Sequence, residues 1–192
     1  MIKPATLSPR LALAPLAVLA AMPLAACAQE TGAVPGAAAM MPVTAKVMKA
    51  DGTDAGTVTF TQAANGVIVM AKLKNLTEGV HGFHIHETGA CTPDFAAAGS
   101  HFNPQGKEHG FDTEGGYHTG DLPNITIGAD GMGEASFTVP GVTLSGTPSA
   151  ANPYLLGDAD GSAVMVHAAA DDYRAMASSG ARVACGVIMP KG

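Results

Sequence analysis

The chain has no tryptophan, only three cysteines, and few charges, which make up 14% of its 192 residues. It also lacks any long helical hydrophobic period and any internal repeat. The missing tryptophan, set beside 24 glycines and 13 prolines, argues against long helices and for short strands joined by turns. Basic residues are scarce, 10 Lys and Arg against 16 Asp and Glu. That balance excludes a nucleic-acid partner. No apolar run is long enough to span a membrane in the mature protein, because the stretch 11–26 is interrupted by Pro15 and Pro23. Lying behind Lys3 and Arg10, it reads instead as an export signal.

Three segments follow from this: a signal at 1–26, a linker at 27–42 and one domain at 43–192. Leu24-Ala25-Ala26-Cys27 resembles a bacterial lipobox, which predicts a lipidated Cys27 and a protein held to the membrane on the periplasmic side. Cleavage after Ala28, giving a soluble periplasmic protein, is the alternative. The linker is rich in Ala, Gly and Pro and holds no histidine. Loss of residues 1–26 removes Lys3 and Arg10 and no acid, so the formal charge moves from −6 to −8.

What the chain does have is concentrated. Six of seven histidines fall between His81 and Asp121; the seventh is His167. Gly82-Phe83-His84-Ile85-His86 reads as a strand, whose pleat sets His84 and His86 on one face. His81 has the opposite parity along such a strand, which predicts a structural role. His101, His109, His118 and Asp121 follow at spacings that no helix or strand period fits, in a stretch full of Gly, Pro and Asn. A long irregular loop of that kind is cohesive when it folds around an ion. Three imidazoles and a carboxylate form the closed tetrahedral set that zinc takes in structural sites. His84, His86, one imidazole shared from the loop and one from elsewhere form an all-nitrogen set suited to copper.

Around this stretch, strands are expected at 43–50, 57–62, 67–73, 82–86, 125–127, 134–139, 163–167 and 183–188. Turns at Asp51-Gly52, Asn65-Gly66 and Asp130-Gly131 separate several of them. Eight short strands predict an all-β fold, an eight-stranded antiparallel Greek-key barrel or sandwich of immunoglobulin-like kind carrying long loops. Asp158-Ala159-Asp160-Gly161 lacks the later acids of a calcium loop and reads as a turn.

His84-Ile85-His86, His101-Phe102-Asn103-Pro104, His109-Gly110, His118-Thr119-Gly120-Asp121-Leu122-Pro123-Asn124, Val166-His167 and Arg182-Val183-Ala184-Cys185-Gly186-Val187-Ile188 together resemble the bacterial copper/zinc superoxide dismutases. The resemblance implies copper on His84, His86, His101 and His167, zinc on His101, His109, His118 and Asp121, and His101 as the bridge and proton carrier. It implies a Cys91–Cys185 disulfide, a hydrogen-bonding brace at His81, and a carboxylate at Asp171 that accepts from one copper and one zinc histidine. Arg182 matches the arginine that guides the superoxide anion; a surface ion pair with Asp171 or Asp172 is its alternative. Some relatives carry a histidine-rich extension in place of this linker, and a longer, more charged loop where this chain has 173–180. The implied activity is dismutation of superoxide to dioxygen and hydrogen peroxide, protecting the cell envelope, by a monomer or a homodimer. A non-catalytic copper-binding or delivery protein on the same fold is the rival reading.

Overall fold

The computed structural model describes residues 41–176 and 178–192. The signal, most of the linker and Cys27 lie outside the described residues.

The chain opens with a meander. Strand β1 (Val43–Lys49) turns at Asp51-Gly52 into β2 (Asp54–Ala63), which turns at Asn65-Gly66 into β3 (Gly66–Leu73). Gly52 takes φ 82°, a left-handed conformation that only glycine enters freely. Then come β4 (Gly79–His81) and β5 (Phe83–His86), the long loop, β6 (Ile125–Ile127), and β7 (Gly133–Pro140) after the Asp130-Gly131 turn. The remaining strands are β8 (Val142–Thr143), β9 (Tyr154–Leu155), β10 (Ser162–His167) and β11 (Arg182–Met189).

Seven of these strands form one sheet in the order β5-β10-β11-β1-β2-β3-β7, with every neighbouring pair antiparallel. The sheet curls, and β4 pairs with β6. The architecture is the all-β Greek-key barrel expected from the sequence. All eight expected strands are present within two or three residues of their expected ends. Three more, β4, β8 and β9, were not foreseen, and β8 pairs with β9 in parallel. They are two or three residues long, too short to show a period in sequence.

The strand around His81 is not continuous: Gly82 separates β4 from β5, and His81 pairs with Ile125 in the small sheet. The strand breaks there because Gly82 N–H and C=O bond to the 167–169 segment, and Ser179 packs where a Gly82 side chain would stand. His81 is still a brace. Its Nδ1 lies 2.6 Å from the His167 carbonyl oxygen and its Nε2 2.9 Å from that of Thr77.

The core holds Phe60, Leu73, Phe83, Ile85, Leu122, Ile125, Ile127, Leu144 and Leu156, each 2% exposed or less. Burial of side chains of this size contributes about 1.5–3 kcal/mol apiece. In β5, Phe83 and Ile85 point into that core while His84 and His86 point to the other face, and all four are buried. On β10, Val164 and Val166 join the same core. Ala163 and Met165, which face His86 and His84 in register, pack with Ala98 and Cys185 in a second, smaller cluster. The histidine face of β5 and β10 is therefore roofed by the disulfide-tied loop, not by the barrel.

Candidate metal centre

The loop is fastened to the free edge of β5 by its backbone. Ile85 N–H donates to Gly120 O, Phe102 N–H to Ile85 O and Glu87 N–H to Ser100 O, at 2.8, 2.8 and 2.9 Å. These bonds satisfy an edge strand that would otherwise be open. They also place His84 opposite Asp121 and His86 opposite His101 as antiparallel bridges. Close approach requires glycine here: a Cβ on Gly120 would fall 2.3 Å from Ile85 O, and one on Gly110 would fall 2.1 Å from Tyr173 O. The Cys91–Cys185 disulfide, 94 residues apart in sequence, ties the start of the loop to β11.

Two overlapping groups of side chains result. His84, His86, His101 and His167 each offer a nitrogen within 4.8 Å of the others, as do His84, His101 and His109 with an Asp121 oxygen. The first group is the copper set read from the sequence. His167 enters it from β10, where the strand register shifts between Val166 and His167 and brings Arg182 directly opposite His167. An irregularity of this kind re-aims a side chain next to a site.

The second group contains three of the four zinc residues with His84 in place of His118. His118 stands at the rim, with its Nδ1 3.2 Å from Asp121 Oδ1 and 3.5 Å from His101 Nδ1. Asp121 Oδ1 is the hub, 2.8 Å from His101 Nδ1 and 3.8 Å from His109 Nε2. Its Oδ2 accepts from the backbone N–H of Gly110 and of His118, which fixes the carboxylate in place.

In four of the buried rings hydrogen bonds assign one nitrogen to the protein and leave the other bare. His86 Nδ1–H donates to Gly99 O, His167 Nδ1–H to Gly180 O and His109 Nδ1–H to Arg174 O. His84 donates through Nε2–H to Asp171 Oδ2 at 2.7 Å. The opposite nitrogens, His84 Nδ1, His86 Nε2, His109 Nε2 and His167 Nε2, are buried and have no hydrogen-bond partner among the described residues. A buried polar atom without a partner costs about 1–3 kcal/mol. His84, His86 and His167 belong to the first ligand group and His109 to the second, and unpartnered nitrogens in such groups suit a cation. His109 Nε2 also stands 2.9 Å from Asp171 Oδ2, without the geometry of a hydrogen bond.

Electrostatics point the same way. Burial, reinforced by the neighbouring His101, pushes the His86 imidazole down to about 2, and burial pushes His167 down to about 4. His84 and His118 are lowered chiefly by burial as well. Burial would raise Asp171, but the His84 and Tyr173 N–H groups hold it below the ordinary carboxylate range; Asp121 is held down by His101 and Gly110 against the same opposition. These four rings are thus neutral and the two acids charged at neutral pH, the states in which each is a metal ligand.

Asp171 is buried, as its assigned role requires, while the exposed Asp172 caps the turn by accepting from Arg174 N–H. Asp171 is clamped from behind by Asn124, which donates to Asp171 O and accepts from Asp171 N–H. That use of Asn124 was not read from the sequence, although the residue closes the motif that begins at His118. Arg182 makes no ion pair among the described residues, so the surface-pair alternative falls. Its guanidinium donates to Phe95 O and, at 2.6 Å, to Gly99 O. It lines a cavity of about 560 Å³ together with Ser100, His101, Glu108, His109, His118 and Ala175. Asp158 accepts from Asp160 and Gly161 N–H, the turn expected there.

Residues 54–188 match the family model described as copper/zinc superoxide dismutase. The chain is 47% identical over 149 residues to the copper/zinc superoxide dismutase of Caulobacter vibrioides, covering 76% of this chain and 84% of that one. It is 45% identical over 111 residues to the superoxide dismutase-like protein YojM of Bacillus subtilis, covering 56% and 55% respectively. Among solved structures, a double mutant of a superoxide dismutase-like protein from Bacillus subtilis superposes with a TM-score of 0.70 at 38% identity, over 76% of this chain and 96% of that one. The copper/zinc superoxide dismutase of Brucella abortus superposes with a TM-score of 0.61 at 30% identity, over 77% and 99%.

Proposed function

Because the chain belongs to the copper/zinc superoxide dismutase family, whose cofactors are copper and zinc, we propose that it dismutates superoxide with copper held by His84, His86, His101 and His167 and zinc by His101, His109, His118 and Asp121. The observation that carries this is the pair of overlapping ligand groups that share His84 and His101 and include four buried imidazole nitrogens with no hydrogen-bond partner among the described residues. When bound, copper supplies the one-electron couple that oxidises one superoxide to dioxygen and reduces another to hydrogen peroxide, and zinc supplies loop order without redox chemistry.

The chain's own residues do the rest. Arg182 lines the open cavity and attracts the anion. Its two bonds to backbone carbonyls fix where the guanidinium points. His101 has Nδ1 committed to Asp121. Its Nε2 is the nitrogen left to carry a proton to the departing peroxide. Asp171 fixes the tautomer of His84, and the Gly99 and Gly180 carbonyls fix those of His86 and His167.

The similarity to YojM keeps a second reading in play, a copper-binding or delivery protein without turnover. Metal analysis of the purified 43–192 domain, combined with superoxide turnover, separates them. One copper, one zinc and fast turnover support the enzyme. Copper bound without turnover supports the carrier. We further propose export to the cell envelope with lipid on Cys27, a reading supported by the 1–26 segment and the Leu24-Ala25-Ala26-Cys27 sequence. Peptide mapping of membrane fractions tests it, and a free N-terminus at Gln29 would reject the anchor.

A further inference from the structure

Two charged side chains other than the imidazoles line the cavity over the metal cluster, and they have opposite sign: Arg182 and Glu108. An acid is unexpected at the mouth of a site whose substrate is an anion. Its neighbour Lys107 would be the helpful charge, yet Lys107 is turned away. It lines a separate apolar cavity with Phe111, Tyr117 and Phe137, and its Nζ lies 3.7 Å from the position of a Cβ on Gly116. The backbone enforces this choice. Lys107 N–H donates to Asn103 Oδ1 and Asn103 Nδ2 donates to Lys107 O, both at 2.9 Å, so the 103–107 turn is closed by a two-way clamp and the next residue is delivered to the metal side. Glu108 is exposed and has no ion-pair or hydrogen-bond partner among the described residues. Its carboxyl group leans over Gly115, where a Cβ would lie 3.8 Å away. The carboxylate is therefore free to act on whatever enters the cavity.

We propose that Glu108 is a charge filter that admits singly charged anions to Arg182 and holds off doubly charged ones. Coulomb repulsion scales with the charge of the entering ion, so one carboxylate penalises a dianion twice as much in free energy as a monoanion at the same place. Arg182 alone would favour the dianion by the same scaling. Glu108 offsets that preference, and it does so where superoxide must pass while carrying one charge. The inference rests on the dismutase reading for its biological sense but not for its test.

The test uses the copper- and zinc-loaded protein at low ionic strength and about pH 8, with azide as the monoanion, followed by its absorption band, and hydrogen phosphate as the dianion, followed by competition with azide. Glu108→Gln should tighten azide by about three- to tenfold, and phosphate by about the square of that factor. The double variant Lys107→Glu/Glu108→Lys keeps the net charge and should tighten both further, which separates a local field from a global one. Salt near 1 M should erase the differences. Equal factors for the two anions, or no change in either variant, overturn the filter. The anion effects in the variants, with no superoxide turnover by the wild-type protein, would leave the filter standing and sink the dismutase reading, so the two failures are distinguishable.

Discussion

Arg182 and His86 meet at a single atom, the carbonyl oxygen of Gly99, which accepts from Arg182 Nη2 at 2.6 Å and from His86 Nδ1 at 3.0 Å. The proposed substrate-guiding arginine and a ring of the proposed copper set are thus oriented by the same point in the loop. That point is fixed by the disulfide side of the loop, since Phe95 O, the other Arg182 acceptor, belongs to the 3-10 turn Phe95–Ala98 that packs on Cys185.

Removing the guanidinium should then slow the reaction. Arg182→Ala is expected to lower the second-order rate tenfold or more, since a unit charge a few ångströms from the anion contributes on the order of 2–4 kcal/mol at an effective dielectric near 20. Arg182→Glu should lower it further, with added salt narrowing the gap from wild type. Arg182→Lys keeps the charge but cannot serve both carbonyls in one planar fork, and should recover only part of the rate. Stopped-flow decay of superoxide at fixed copper content measures all three; a rate unchanged in Arg182→Glu would remove Arg182 from the path.

Asp171 joins the two halves of the site, accepting from His84 and standing 2.9 Å from His109 Nε2. Asp171→Asn presents an amide where a carboxylate held the His84 tautomer. Copper affinity should fall by about 10- to 100-fold, the usual effect of losing a partner behind a metal ligand. Chelator competition reads this directly. Copper retained at wild-type affinity would mean that the His84 ring is held in place without Asp171.

Much of this was legible in the sequence and some of it could not have been. The parity of Phe83, His84, Ile85 and His86 announced a strand with a core face and a ligand face, and the structure has both. The same parity argument placed His81 on the wrong strand, because Gly82 breaks the pairing through contacts with residues 167–169 and 179 that are remote in sequence. The carbonyls that fix the rings, those of Gly99, Arg174 and Gly180, were invisible for a different reason. Every residue carries one, so composition and spacing say nothing about which will be used. Asn124 had a sequence signal in its motif but no readable partner until the fold set it beside Asp171.

The disulfide gives a stability prediction with a functional consequence. In the loop-entropy model a bridge across 94 residues contributes about 4–5 kcal/mol. The Cys91→Ser/Cys185→Ser pair should lose stability of that order in urea titration. Because the loop also presents Phe95 O and Gly99 O to Arg182, its superoxide rate at full copper loading should fall as well. A rate that stays constant while stability drops would show that the loop is held in place by its bonds to β5 alone.

The last prediction follows from the depressed imidazoles. His167 titrates near 4 in the fold, lowered first by burial and then by the charges of His84, His101 and Arg182, against an ordinary value of 6.5. Between those two values the unfolded chain binds a proton that the folded chain refuses, so stability must rise with pH through the window. The contribution is fully present above about pH 6.5 and is lost as pH falls toward 4. At 1.36 kcal/mol per pH unit, acidifying the metal-free protein from pH 7 to 4.5 should cost on the order of 2–3 kcal/mol through this ring. His86, at about 2, adds a loss of the same sign that continues to lower pH. Denaturant titrations of metal-free wild type and His167→Gln across pH 4.5–7 check this: the variant should show the shallower slope. Metal loading should steepen the wild-type profile, because protons then compete with the ions for the same nitrogens. Parallel slopes for the two metal-free proteins would mean that His167 accepts its proton in the fold as readily as in the unfolded chain.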